Sequence, residues 1–497
     1  MFFNFYVKKI FKHAPNVTRP QILVDLLFRA FKTRSLVLLS VIISSVITYR
    51  YFSPESRGYL SLLVSLLAAI NALGFNVEAY LQKEVGRRDY GATSSIVFTA
   101  YLIRLSTCTL AITFFTIVGI INFEIFGLSN LSHIFLISVV TLLSMAISPH
   151  NEIVILGVQN FSAADRFYAL RFVALLVTLI FFLLIDMNIF YYFIILNCIQ
   201  AVLFSTYSWS LTKSFLIGNH EVLQKIYSVK LSEIKEFVTL SWPIWMMTIL
   251  HTASGTLAFI SIGLNLGFAD VAGYALIFSL TSMIFSFPNR LEDYFYTYLS
   301  KIKLQDKTTL LKKYVQFQKI YLVFAAMPLT IWVMVAPTMV PLVFGETYFQ
   351  YVNLSYFLSI FFIIKCLSFA RRIFYIHDNA HNLLKIALIK YIFEFLGYIF
   401  LTPFLGLNGV LISVILSQGL YTVMLFKRAQ PLIGLSAREI FQILFICLFS
   451  VITTLLLYFF KSNNFSVGFW AIIIATFCVY AGYLYNMKAK GNLEIVT

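Results

Sequence analysis

The chain has 497 residues, of which 60% are hydrophobic and 12% are charged, and its mean hydropathy is +0.86. Soluble domains carry about 25% charged residues, so this composition excludes a soluble globular protein. The net charge of +16 reflects basic loops between apolar segments, which indicates membrane topology and contact with anionic lipid rather than nucleic-acid binding.

The first predicted element is a cytoplasmic or interfacial segment, residues 1–34, with no pattern of a cleaved signal peptide. Within it, "TRPQILVDLLFRAFKTR" places Ile22, Leu23, Leu26, Leu27 and Phe31 on one helical face. This pattern is typical of a helix lying in the headgroup layer. The alternative is that these residues form the first turns of span 1.

Apolar segments long enough to cross the hydrocarbon core as helices follow one another along the chain. They predict an all-α polytopic membrane protein with about fourteen transmembrane helices. The predicted spans are 35–52, 58–82, 93–121, 131–157, 167–186, 189–212, 237–264, 268–300, 316–344, 351–376, 383–404, 407–426, 438–460 and 465–486.

Lysine and arginine fall almost entirely on one side of these spans. Only Arg50, Arg57 and Lys461 are placed on the opposite side. Because basic loops stay in the cytoplasm, both termini are predicted to be cytoplasmic.

An internal repeat divides the chain into two lobes. "RGYLSLLVSLLAAINALGFNVEAYLQK" (57–83) is similar to "AGYALIFSLTSMIFSFPNRLEDYFYTYLSK" (272–301), and "IFGLSN" (125–130) is similar to "VFGETY" (343–348). The spacing superposes spans 1–6 on spans 7–12 as a parallel repeat. The predicted organisation is an N-terminal segment (1–34), an N-lobe (35–212), a cytoplasmic linker (213–236), a C-lobe (237–427), and two extra helices with a cytoplasmic tail (428–497).

The order of several short motifs resembles the polysaccharide-export branch of the multidrug/oligosaccharidyl-lipid/polysaccharide (MOP) flippase superfamily. These are "RGYLSLLVSLLAAINALGFNVEAYL" in span 2, "SWPIW" opening span 7, "FG..Y" after span 9, and "TPFLGLNGVLIS" between spans 11 and 12. The resemblance covers roughly residues 35 to 430.

The resemblance implies two six-helix lobes around a central cavity, in a bacterial cytoplasmic membrane. It also implies a flippase of O-antigen type, which moves undecaprenyl-diphosphate-linked oligosaccharide from the inner to the outer leaflet by alternating access. We expect a monomer, and contact with other polysaccharide-assembly proteins stays open.

Three basic residues lie inside predicted spans: Arg104, Arg290 and Lys365. A charge near the bilayer centre normally marks a substrate or ion path, and arginine can donate two hydrogen bonds to a phosphate. We therefore take all three as candidate ligands of the substrate diphosphate. The alternatives are a pair between Arg104 and Glu78 and a Lys365 that snorkels to the interface.

Five acidic residues are candidate counter-ions or sites for Na⁺ or H⁺ coupling. They are Glu78, Glu152, Glu292, Asp293 and Glu394. Arg290 and Asp293 are three residues apart and can share a helix face, so a structural ion pair is the alternative for Arg290. Whether these charges lie within the membrane depends on whether span 8 ends at Pro288.

The pair Arg371 and Arg372 is interpreted, with the residues up to His381, as an ordinary cytoplasmic helix end. The five cysteines show no ligand spacing, and no nucleotide-binding loop or catalytic motif is present in the sequence. We predict no enzyme activity, metal or cofactor. The other functions considered are a cation-coupled multidrug exporter of the same superfamily and a membrane glycosyltransferase or polymerase.

The basic asymmetry gives a direct test of topology. A single cysteine introduced between residues 301 and 312 should be shielded from an impermeant thiol reagent in intact cells, whereas one replacing Asn463 should be labelled. The parent protein, with its five cysteines, gives the background. Labelling at both positions would contradict the fourteen-span topology.

Overall fold

The computed structural model describes the protein over two long stretches, 231–302 and 306–459, and over shorter ones in the first half and near the end. The shorter ones are 42–75, 77, 80–81, 84, 99–100, 102–111, 113, 173, 177–178, 195, 198–199, 202, 475–476, 478–480 and 482. Every regular element in these residues is helical.

Ten helices with defined ends are present in the described residues, and two 3-10 helices lie between them, Glu346–Tyr351 and Leu367–Ala370. The helices are α1 (Pro54–Leu73), α2 (Leu102–Ala111), α3 (Leu231–Asn265), α4 (Phe268–Lys301), α5 (Lys307–Phe344), α6 (Leu354–Cys366), α7 (Arg371–Ile376), α8 (Ala380–Leu405), α9 (Leu407–Ile433) and α10 (Ala437–Phe459).

Six of the helical segments are long and apolar enough to cross a membrane. They are Pro54–Leu73, Ile234–Asn265, Phe268–Ser286, Lys307–Phe344, Leu407–Ile433 and Ala437–Phe459. Large apolar side chains such as Phe404, Leu342 and Phe459 are exposed on these and neighbouring helices, as expected where helices face lipid. The prediction of an all-α, multi-pass membrane protein is confirmed. The count of fourteen stays a prediction, because most of spans 3–6 and 14 lie outside the described residues.

Some boundaries predicted for the C-terminal half agree closely with the helices, whereas α5 begins nine residues before the predicted span 9 (316–344) and α9 ends seven residues after the predicted span 12 (407–426). The predicted span 8 (268–300) coincides with α4, and the predicted span 13 (438–460) coincides with α10. The predicted span 10 (351–376) is not one α-helix. It consists of α6, the 3-10 helix Leu367–Ala370, and α7.

The helix α4 does not end at Pro288. It continues as one helix to Lys301, with Pro288 inside it. Pro288 lacks the N–H that would bond to the carbonyl four residues earlier, and the nearby Ser286 Oγ donates to the carbonyl of Met283 at 2.6 Å. The acidic pair Glu292 and Asp293 therefore continues the same helix as the apolar span.

The helix α5 has a defined start. The carboxylate of Asp306 accepts the backbone N–H of Thr309 and the hydroxyl of Thr308, each at 3.0 Å. This is the side-chain cap that short polar residues provide at a helix N-terminus. The same hydrogen bonds, chiefly those of Thr309, lower the pKa of Asp306.

The chain divides into two compact units. The described residues of the first unit are 42–48 and those between 59 and 259. In this unit the indole N–H of Trp245 on α3 donates to the carbonyl of Ala72 on α1 at 3.0 Å, and the rings of Phe75 and Trp245 are 5.2 Å apart. The division into lobes at 213–236 stays a prediction.

The second unit contains residues 49–58 and the described residues from 260 onwards, and α5 is its central helix. The rings of Phe295 on α4 and Phe317 on α5 stack at 4.2 Å, and Trp332 Nε1 donates to Thr281 Oγ1 at 2.9 Å. Since α5 also packs against α6 and α10, its position fixes that of the three neighbouring helices.

The helices α8 and α9 form a tight pair with a one-residue connection at Gly406. Gly406 has φ of 57°, a left-handed conformation that glycine adopts without steric cost. The break between the predicted spans 11 (383–404) and 12 (407–426) is therefore confirmed. This connection places α8 against α9, whose other neighbours include α5, α6 and α7.

Candidate functional site

Seven ionised side chains from four helices of the second unit form a cluster, which we call the charge cluster. It contains four cations and three carboxylates: Lys365, Arg371, Arg372 and Lys390, and Glu292, Asp293 and Glu394. They are contributed by α4, α6, α7 and α8.

Glu292 on α4 is the most buried acid of the cluster, with 4% of its side chain exposed. One oxygen, Oε1, accepts from Arg372 Nε at 2.7 Å and from Arg371 Nη2 at 2.8 Å. The other oxygen, Oε2, accepts the hydroxyl of Tyr321 at 3.3 Å. A single carboxylate thus joins α4 to α5 and α7.

Arg372 is bound on several sides. Its Nη2 donates to Asp293 Oδ1 at 3.0 Å, in addition to the bond from Nε to Glu292. Its guanidinium carbon also lies 4.6 Å from the ring centroid of Tyr296, within cation–π distance. With two carboxylates and one aromatic face, Arg372 has the contacts of a structural cation.

Arg371 is held less firmly than its neighbour. Its ion pair among the described side chains is the one with Glu292, and 32% of its side chain is exposed. Because arginine has five N–H donors, most of its hydrogen-bonding capacity is available to another acceptor.

Lys365 on α6 contacts aromatic rings. Its ammonium nitrogen lies 5.5, 5.7 and 6.0 Å from the ring centroids of Phe362, Phe361 and Phe285. It makes no hydrogen bond or ion pair with any side chain that the structure describes, although the charges of Arg371, Lys390 and Glu292 act on it. It is the cation of the cluster without a carboxylate of its own.

Lys390 and Glu394 form a buried pair on α8. Lys390 Nζ is 3.5 Å from Glu394 Oε2, and Tyr398 donates its hydroxyl to Glu394 Oε1 at 2.9 Å. The ammonium group also lies 4.4 Å from the ring centroid of Tyr391. Lys390 and Glu394 therefore neutralise each other, as do the charges around Arg372.

The fold of the chain is similar to that of several solved transporter structures. An outward-facing multidrug resistance MATE family transporter of the MOP superfamily matches with a TM-score of 0.64 and 12% identity, over 86% of this chain and 99% of its own. The lipid II flippase MurJ, in an inward closed conformation, matches with a TM-score of 0.58 and 14% identity, over 94% of this chain and 99% of its own. The fold is that of these MATE and MurJ structures.

Further solved structures agree. The inward-facing conformation of a MATE transporter has a TM-score of 0.58 at 12% identity, over 87% of this chain and 99% of its own. A eukaryotic MATE transporter has a TM-score of 0.57 at 15% identity, over 82% and 99%. No family model and no curated protein sequence matches the chain. At the level of the fold, the expectation drawn from the short motifs is confirmed.

The predicted site residues do not all belong to one described cluster. Lys365, Glu292, Asp293 and Glu394 belong to the charge cluster. Arg104 is fully buried on α2 in the first unit. The structure does not describe the remaining predicted residues fully. Arg290 lies on α4, but its side chain is not described, and Glu78 and Glu152 lie outside the described residues.

Arg371 and Arg372 are not an ordinary helix end, because both belong to a network of ion pairs with α4; their cytoplasmic position stays a prediction. Arg372 is 8% exposed, and both arginines bind Glu292 inside the second unit. The sequence signal was the match in charge between an adjacent acidic pair in span 8 and an adjacent basic pair at the end of span 10. Such adjacent pairs can neutralise each other only across a helix contact.

The network predicts that Arg372 is required for stability. Replacing Arg372 with methionine removes this cation from Asp293 and leaves Glu292 with Arg371 and Tyr321, so we expect a loss of about 1.5–3 kcal/mol in the free energy of unfolding, the contribution of a hydrogen bond to a charged group. Thermal unfolding of the purified protein measures it. Adding Asp293→Asn to Arg372→Met should restore part of the loss, because the carboxylate that lost this cation is then neutral.

The exposed Arg438 provides the control for loss of a positive charge. Arg438→Met should change the unfolding temperature little. A melting temperature of Arg372→Met equal to that of Arg438→Met would contradict the structural role of Arg372.

Proposed function

We propose that the protein is a flippase that moves an undecaprenyl-diphosphate-linked oligosaccharide, a precursor of cell-surface polysaccharide, from the inner to the outer leaflet by alternating access. The observation that carries this proposal is the excess of positive charge in the charge cluster. Four cations face three carboxylates, and Lys365 has no carboxylate partner among the described side chains.

An excess charge in the interior of a membrane protein is costly unless it is neutralised. The cost is offset if an anion binds there during the working cycle. A diphosphate carries several acceptor oxygens and negative charges, so it matches an ammonium and a guanidinium group at close range. The charge cluster is thus suited to the headgroup of a diphosphate-linked lipid.

The structural likeness agrees with this choice. The match to the lipid II flippase MurJ extends over 94% of this chain, whereas those to the MATE transporters extend over 82–87%, with a TM-score of up to 0.64 against 0.58 for MurJ. The helix α10 lies beyond the predicted twelve spans of the two lobes. An additional C-terminal helix pair, with α10 as its first member, therefore fits a flippase for a lipid-linked precursor better than a twelve-helix drug exporter.

The residues take the following roles in this proposal. Lys365, Arg290 and Arg104 are ligands of the substrate diphosphate. Glu292, Asp293 and Glu394 are counter-ions, and the same role or a coupling role with Na⁺ or H⁺ is proposed for Glu78 and Glu152. The protein works as a monomer in the bacterial cytoplasmic membrane, with both termini in the cytoplasm.

A multidrug exporter is the second candidate, because several of the similar structures are multidrug MATE transporters. An exporter of organic cations needs an excess of carboxylates where the substrate binds. The charge cluster has the opposite sign, so this candidate is disfavoured. A membrane glycosyltransferase or polymerase has no support from the fold.

Transport in the native host tests the proposal. Loss of the protein should leave undecaprenyl-diphosphate-linked glycan on the cytoplasmic leaflet and reduce surface polysaccharide. Lys365→Ala should lower the export rate about tenfold or more, because a hydrogen bond to a charged group contributes about 1.5–3 kcal/mol. Lys365→Arg should retain part of the activity.

The matched control is Lys385→Ala, since Lys385 is exposed on α8. It should leave export unchanged. Normal surface polysaccharide together with new sensitivity to cationic drugs, after loss of the protein, would contradict the proposal and favour the exporter.

A further inference from the structure

Arg371 and Lys365 are brought to one side of their segment by the 3-10 helix between α6 and α7. In a continuous α-helix, a six-residue separation turns two side chains about 120° apart. The four residues Leu367–Ala370 are in a 3-10 helix, which turns about 120° per residue instead of 100°. The separation then becomes roughly 40°, so both side chains project from nearly the same face.

This convergence agrees with the electrostatics of the cluster. Arg371 is the cation whose charge acts most strongly on Lys365. Two like charges that act on each other are unfavourable, and among the described groups Glu292 is the carboxylate that acts on both. One carboxylate does not neutralise two cations, so a second anion would be favourable here.

The other hydrogen bonds of Glu292 lower the free-energy cost of breaking its ion pair with Arg371. Glu292 Oε1 is shared by two arginines, at 2.7 Å from Arg372 Nε and 2.8 Å from Arg371 Nη2. If Arg371 moves away, Glu292 keeps Arg372 and the hydroxyl of Tyr321. No buried carboxylate is left without a cation, which is the usual penalty for breaking a buried pair.

Arg372 has no such freedom. It bonds Asp293 as well as Glu292 and lies over the ring of Tyr296. The two adjacent arginines thus differ in kind: Arg372 neutralises the acidic pair, and Arg371 is the exchangeable partner.

We propose that Arg371 is a phosphate ligand that Glu292 holds in the substrate-free protein, and that a diphosphate bound by Lys365 takes Arg371 from Glu292. This inference rests on the proposed function and adds to it a ligand and an internal competitor. Arg371 donates two hydrogen bonds to one phosphate through its planar guanidinium, and Lys365 contacts the other as a point charge. Glu292 then acts as a substitute anion, which the substrate must displace.

The test is the binding of inorganic pyrophosphate and of farnesyl diphosphate to the full-length protein. The protein is held in nanodiscs of zwitterionic phosphatidylcholine at fixed ionic strength, because surface charge interactions depend on salt. Arg371→Gln should weaken binding of the diphosphate about tenfold or more. Glu292→Gln should strengthen it several-fold, because the competing carboxylate is removed.

Tighter diphosphate binding by Glu292→Gln is the decisive result, because a purely structural role of Glu292 predicts no increase in affinity. Arg438→Gln, at an exposed position, is the control and should bind as wild type does. Unfolding temperatures show which variants are folded. If Glu292→Gln does not fold, Glu292→Asp replaces it, since the shorter side chain cannot reach both arginines, and it should also bind more tightly.

The outcomes separate the two proposals and the two sources of diphosphate. Binding of farnesyl diphosphate alone, weakened in Arg371→Gln, supports a lipid-borne headgroup, and binding of both probes supports a site that free pyrophosphate also enters. A second outcome is that Lys365→Ala abolishes diphosphate binding while Arg371→Gln and Glu292→Gln leave it unchanged. That result overturns the role of Arg371 but not the proposed function. A wild-type protein that binds ethidium and neither diphosphate overturns both.

Discussion

The bond between Glu292 and two arginines is the interaction on which the interior of the second unit depends. A carboxylate with 4% of its side chain exposed cannot stay ionised in an apolar interior without cations beside it. Arg372 and Arg371 supply them from α7, and Tyr321 adds a hydroxyl from α5. The positions of α4, α5 and α7 are therefore linked by electrostatics as well as by packing.

The same requirement explains why the cluster is suited to an anionic substrate. Lys390 and Arg372 are neutralised by acids on α8 and α4. Among the described groups, Glu292 is the carboxylate that acts on both Lys365 and Arg371. The chain keeps a partly neutralised pair of cations where an apolar pair would be more stable. Function is the reason we infer for retaining it, since a membrane interior rarely tolerates such charges without one.

Much of the fold was predictable because membrane helices are encoded by long apolar runs. The ends of α4 and α10 and the start of α9 follow from composition, charge and the turn at Gly406. Lys365 was also predictable, because a lone basic residue inside an apolar run is conspicuous. The proposed cooperation of Arg371 with Lys365 was not. It depends on a 3-10 segment of apolar sequence, "LSFA", in which Phe369 packs against Tyr314 and Phe295, and nothing in the residue types of that segment distinguishes a 3-10 helix from an α-helix.

Movement of a diphosphate-linked lipid by the purified protein tests the central claim most directly. The wild-type chain is reconstituted into liposomes with a fluorescent prenyl-diphosphate-linked sugar, and dithionite bleaches the label in the outer leaflet only. The account predicts transfer between leaflets about tenfold faster than in protein-free liposomes, with most of the increase lost in Lys365→Ala. Transfer no faster than in protein-free liposomes, together with protein-dependent transport of ethidium, would contradict it.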